Sequence, residues 1–174
     1  MRTRDMTRIA LMTALLCVAG PLTVAIGPIP LSLATFAVYL AGAVLGAKNG
    51  ALAVALYLLI GSVGVQVFSG FSGGVQKLVG VTGGYLVGYL ACAALTGLGA
   101  KGERVRWQRL AGMMVVGTAA LYAVGTTWFM IQTKNPLGAA LGMCVLPVLP
   151  GDAVKIAAAT AVSPPIRRAV HWTK

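Results

Sequence analysis

Asp152 and Lys155 are the two residues most able to do chemistry in this chain, because both are charged and both sit at the edge of an apolar run. Three positions apart on a helix, they share one face. A carboxylate there accepts hydrogen bonds from a ligand's N–H groups, and an ammonium attracts a carboxylate. The positive end of a helix beginning at this point adds to the attraction for an anion. The pair therefore reads as a carboxylate-binding corner. A plainer reading keeps Asp152 as a helix N-cap, paired with a Lys155 that snorkels outward. Lys77 reads either as a further binding residue or as an interfacial anchor, beside Gln76 and Thr82 in a segment flanked by Gly73-Gly74 and Gly83-Gly84. Glycine lets backbone approach a ligand closely, and it equally lets helices pack closely in lipid. For Gly83 and Gly84 both readings stand, whereas Gly88 and Gly97 read as packing. Tyr85 and Trp128 either line an apolar pocket or belong to an interfacial aromatic belt.

Other chemistries lack their residues. There is no Walker A sequence, so the chain does not hydrolyse ATP itself. The one histidine, His171, lies in the tail, remote from the other candidates, and no serine has a base in reach. An enzyme is not indicated. Cys17, Cys92 and Cys144 are odd in number, irregularly spaced and without a CxxC pair, which speaks against a disulfide framework and a protein metal site. No cofactor is expected.

The elements that must position these residues follow from composition. Of 174 residues, 58% are hydrophobic and 10% charged, against about 25% charged in soluble domains. Too few charges remain to cover a water-facing surface, so the chain reads as an integral membrane protein forming a single domain, 1–174. A net charge of +11 raises nucleic-acid binding, but the basic residues fall in short clusters between apolar runs, as cytoplasmic anchors do. The charged start followed by an apolar stretch imitates a signal peptide, yet five further apolar stretches follow, and the segment reads as a retained first helix.

A span needs about 20 apolar residues. Proline and glycine at Gly20-Pro21 and Gly27-Pro28-Ile29-Pro30 divide the first uncharged stretch into helices over about Thr7–Ala25 and Leu31–Gly46. A turn at Lys48-Asn49-Gly50 leads to a third helix, Ala51–Phe68. Helices over Leu78–Leu98 and Leu110–Gln132 come next. Leu137–Leu149 is short for a span and reads as re-entrant or interfacial. The last helix runs from Asp152 to Val162, with a possible extension past Pro164-Pro165 to His171. The expected fold is all-α, a bundle of six transmembrane helices. Six passes put every one of the 14 basic residues except Lys77, Lys134 and Lys155 on the side of the termini, which the positive-inside rule places in the cytoplasm. Lys134 reads mainly as an interfacial anchor. On the first helix, Ala10 and Ala14 form a small-xxx-small pair that permits close contact with another helix.

Several stretches together resemble one family. Gly27-Pro28-Ile29-Pro30-Leu31-Ser32 is similar to its first outer loop, Val81-Thr82-Gly83-Gly84-Tyr85-Leu86 to its Gly-Pro-Thr-Gly-Gly-Tyr motif, and Leu146-Pro147-Val148-Leu149-Pro150-Gly151-Asp152 with Lys155 to its proline-rich entry into the last helix. The family is BioY, the biotin-specific substrate-binding (S) component of energy-coupling-factor transporters. The match covers nearly the whole chain, in order. Ala34 stands where the family often has glutamine, and Val81 where it has proline. The resemblance implies a six-helix subunit of a prokaryotic plasma membrane that captures biotin at the outer face. Import would be driven by partners: a transmembrane coupling subunit and two cytoplasmic ATPases. It maps the coupling-subunit contact onto Ala10 and Ala14, and pocket residues onto Asp152 and Lys155. Biotin suits such a pocket, having an apolar body, a cyclic urea and a carboxylate tail. Lys155, assisted by Lys77, is expected to meet the carboxylate, with Asp152 either accepting a urea N–H or positioning Lys155. The alternatives are a stand-alone secondary carrier for a small organic anion or another vitamin, and an assembly subunit without a ligand.

Overall fold

Long apolar runs punctuated by glycine and proline fold, among the described residues, into seven helices and one short strand pair. A computed structural model of the protein describes residues 3–24, 31–101 and 106–171. The elements are α1 (Thr3–Ala19), β1 (Thr23–Val24), β2 (Leu31–Ser32), α2 (Ala34–Ser62), α3 (Val75–Val79), α4 (Gly83–Gly99), α5 (Trp107–Thr133), α6 (Leu137–Cys144) and α7 (Leu149–His171). The Gly27-Pro28-Ile29-Pro30 segment lies outside the described residues. Around it, β1 and β2 pair antiparallel, Thr23 opposite Ser32.

The second and third expected helices are one element with a sharp break at Gly46, whose φ of 81° is open to glycine and strained for other residues. The chain reverses there. A Cβ on Gly50 would come within 2.9 Å of Ala41 O and of Gly42 Cα, residues that a straight helix would hold about 12 Å away. The polar Lys48-Asn49-Gly50 triplet is not the turn. It belongs to the helical arm that follows, because the left-handed glycine two residues earlier has already reversed the chain. The arm ends at Ser62 rather than Phe68, and 63–74 form an irregular loop in which Phe68 and Ser72 bridge. The fourth expected helix is split. Leu78 belongs to the one-turn α3, and α4 starts at Gly83.

Small residues set the close spacing of the bundle. A side chain on Gly42 would overlap the backbone at Ala93, and one on Gly97 the backbone at Gly46 and Ala47. In lipid, where burial of apolar surface gives no drive between helices, such close backbone approach is a principal source of cohesion. The core is built of Leu16, Val38, Tyr39, Val54, Tyr57, Phe68, Leu110, Met114 and Leu121, all essentially fully buried. Tyr39 shares a 2.6 Å hydrogen bond with Thr118 across the bundle.

Among the described residues, α5 is long and apolar enough to cross a membrane; α2 has that length and composition only when its two arms are taken together, and α6 with α7, bent by 53° at their junction, make either a broken span or a re-entrant loop. The 137–149 stretch, read from sequence as re-entrant or interfacial, holds the short α6 and the bent junction that leads into α7. Pro150 falls in the first turn of α7, where a missing N–H costs nothing, and the helix continues past Pro164-Pro165 to His171.

The ends of the helices form two groups. At one, Arg167 of α7 donates to Ala100 O after α4, and Gly97 meets the Gly46 break. At the other, Gly70 N–H donates to Pro21 O, Gly151 abuts Leu31, and α3 packs against α2 and α4.

Candidate ligand-binding site

At the second of these ends the bundle opens into a cavity of about 530 Å³, a volume that counts the open solvent at its mouth. Its polar pole is built by the starts of two helices far apart in sequence. β2 turns the chain into α2 at Ser32, whose Oγ accepts the Ala34 N–H and donates to Gly20 O, so the first turn of α2 is fixed. That fixes Thr35. The junction of α6 and α7 brings Asp152 and Lys155 against it.

The two charges form a salt bridge of 2.9 Å with their side chains 2% and 9% exposed. Lys155 Nζ donates to Ser32 O at 2.6 Å, to Thr35 Oγ1 at 2.9 Å and to Asp152 Oδ1 at 2.9 Å. An ammonium has three protons, and all three have acceptors. Asp152 is less saturated. Oδ1 takes Lys155 and lies 3.4 Å from the Thr35 hydroxyl, while Oδ2 accepts Tyr122 OH at 2.6 Å. A carboxylate offers about four acceptor positions, so Asp152 keeps capacity toward the cavity. Because α7 begins at Leu149, Asp152 is in its first turn with its own N–H bonded to Val148 O. It is therefore not the N-cap, and Lys155 does not snorkel outward but points into the bundle.

Taking two ions out of water costs several kcal/mol each, and replacing such a pair with apolar residues is often neutral or stabilising. Stability alone gives little reason to keep this pair, which makes its place a candidate functional one. The walls suit a mostly apolar ligand: Tyr85, Tyr89 and Tyr122 supply aromatic faces, and Leu86, Leu121 and Val148 supply aliphatic ones. Tyr85 lies on Gly125, where a side chain would overlap its ring, and its OH pairs with Thr126 at 3.1 Å. Cys144, at the end of α6, adds a buried free thiol to the lining.

Of the residues singled out from sequence, Asp152, Lys155, Lys77, Thr82 and Tyr85 meet at this cavity. Gln76, Gly83, Gly84 and Trp128 do not line it. Gln76 is exposed on α3. Gly83 lets α4 start tight against Leu78, and Gly84 makes room for Trp128. The indole N–H of Trp128 donates to Gly80 O at 3.0 Å, and the Gln132 amide donates to Val79 O at 2.8 Å. These residues hold α3 in place from behind. Lys134, in a left-handed conformation, closes α5 and is not among the lining residues. Ala10 and Ala14 lie on the exposed face of α1, beside Leu11 and Val18. Thr35 and Tyr122 carry no sequence signal of their own. A threonine or tyrosine inside an apolar run is ordinary, and their role depends on partners up to 120 positions away.

The comparisons with known proteins agree with this architecture. The fold matches the solved S-component for biotin from an ECF-type ABC transporter, with a TM-score of 0.84 over 97% of this chain and 95% of that one, at 24% identity. Among sequence relatives, the probable biotin transporter BioY of Pyrococcus horikoshii is 36% identical over 94% of this chain and 96% of its own. The biotin transporter BioY of Thermotoga maritima is 43% identical over 70% and 72% respectively. With the BioY family profile matching residues 1–172 and these relatives sharing its length, the chain belongs to the BioY family.

Proposed function

We propose that this chain is the biotin-binding membrane subunit of a vitamin uptake transporter, not an enzyme. The observation that carries the reading is the buried Asp152–Lys155 pair, held by Thr35, Ser32 and Tyr122 at the polar pole of an otherwise aromatic and aliphatic cavity. A bicyclic urea with an apolar body fits such a site, and the BioY relatives are biotin transporters by name. Asp152, Lys155, Lys77, Thr82 and Tyr85 would make up the ligand site together with Thr35 and Tyr122. Gly83, Gly84, Gln76 and Trp128 would shape the wall that α3 makes.

The reversal at Gly46 supports six crossings: α1, the two arms of α2, α4, α5 and the bent α6–α7 unit. With six, the basic residues gather at the end holding both termini, which would be cytoplasmic, and the cavity faces out of the cell. Neither the chain's motifs nor its cavity supplies an ATPase, so import would be driven by two cytoplasmic ATPases through a transmembrane coupling subunit. Ala10 and Ala14, exposed and small, would seat that subunit on α1.

The purified chain, titrated with labelled biotin, is expected to bind it saturably and to ignore thiamine and riboflavin. Failure of a folded sample to bind biotin would remove the reading. Biotin uptake that persisted in cells lacking the ATPases would favour a stand-alone carrier instead.

A further inference from the structure

Two ammonium groups line the cavity among the described residues, and they are in opposite states. Every proton of Lys155 is engaged, by a backbone carbonyl, a hydroxyl and a carboxylate, and the group is buried. Using it to bind a second carboxylate would first require one of those bonds to break at a site closed to water. It would also bring the incoming anion against Asp152, where like charges repel. Lys77 has neither problem. It is half-buried on the one-turn α3 and lines the cavity, and its ammonium has no ion-pair or hydrogen-bond partner among the described residues. The segment that carries it is held at both ends. Gly74 N–H donates to Gly61 O at 2.7 Å on the α2 side, and Trp128 and Gln132 bond Gly80 O and Val79 O on the α5 side. The lysine is thus presented at the mouth by a fixed backbone, on the partly exposed side where a carboxylate can keep some of its water.

Resting on the biotin reading above, we infer that Lys77 is the specificity-determining residue for the ligand's carboxylate. Asp152, by contrast, accepts from the heterocycle at the buried pole, and Lys155 positions Asp152. The ligand lies with its uncharged ring inward and its anionic tail under α3. A hydrogen bond between fully charged partners is stronger than one to a neutral ester, so the site selects for a free acid at this end and for a urea N–H at the other.

The test pairs a change in the protein with a change in the ligand. The full-length chain in detergent, as wild type, Lys77→Met and Lys77→Arg, is titrated with biotin and with biotin methyl ester. The wild type is expected to prefer the acid by about tenfold or more. Lys77→Met should weaken biotin until the two ligands bind within about twofold of each other, leaving ester affinity as it was. Lys77→Arg should keep the preference. A Lys77→Met protein that still prefers the acid as the wild type does, or that loses both ligands equally, would overturn the inference while biotin binding by the wild type stood. A folded wild type that bound neither ligand would instead overturn the biotin reading itself.

Discussion

At the scale of single residues, the site is a problem in proton counting. Lys155 has three donors and three acceptors, and Asp152 has acceptor capacity left over. Removing one ion strands the other in a buried place, at a cost of about 3–5 kcal/mol. Lys155→Met should therefore lower the melting temperature as well as abolish biotin binding, and by itself it does not separate the two roles. The double variant Asp152→Asn/Lys155→Met removes the stranded charge. It should recover much of the melting temperature while leaving biotin bound at least about 100-fold more weakly than in the wild type. If the double variant binds like the wild type, the pair is a structural element only. Scanning melts and titrations of the same samples decide it. Asp152 and Lys155 were legible in the sequence because a charge in so apolar a chain is costly and therefore conspicuous. Thr35 and Tyr122 were not. They complete the same network from α2 and α5, and nothing in their own neighbourhoods distinguishes them from core residues.

At the scale of elements, glycine has more to do with the architecture than the polar residues suggest. The turn between the arms of α2 is legible as a break but misplaced by its polar triplet. Gly46 reverses the chain by its left-handed backbone, and Lys48 and Asn49 ride the next arm at the basic end. Gly83 and Gly84 are legible as sites of close approach, but what approaches is protein. Leu78 backs onto the first and Trp128 onto the second, and the cavity lies beyond. Trp128 in turn bonds Gly80 O, so α5 fixes the C-terminal end of α3. Trp128→Phe keeps the aromatic bulk against Gly84 and removes the donor. The expected result is a fold of near-normal stability from which biotin dissociates several-fold faster, since a hydrogen bond is worth about 1 kcal/mol. Stopped-flow dissociation measures it. An unchanged off-rate would mean that α3 is held by its other contacts.

At the scale of the whole molecule, the arms arrange two unlike ends, one basic and carrying the termini, the other carrying the cavity. Apolar runs made the helical class and the approximate extents of the arms legible. They left open which ends meet, since that depends on packing between distant small residues. The orientation is testable with single cysteines in a background freed of Cys17, Cys92 and Cys144. Phe71→Cys, in the exposed loop before α3, should react with a membrane-impermeant maleimide in intact cells. Lys48→Cys, beside the Gly46 reversal, should react only after permeabilisation. The reverse pattern would invert the topology. In the unaltered chain, the thiol at the end of α6 carries a practical consequence. Cys144 is fully buried and faces the cavity, so a small alkylating reagent arriving from solution has to come in by the same doorway as the vitamin. A bound guest would then act as a cork, and the speed at which that one sulfur is capped would gauge, in living cells, how often the chamber stands empty.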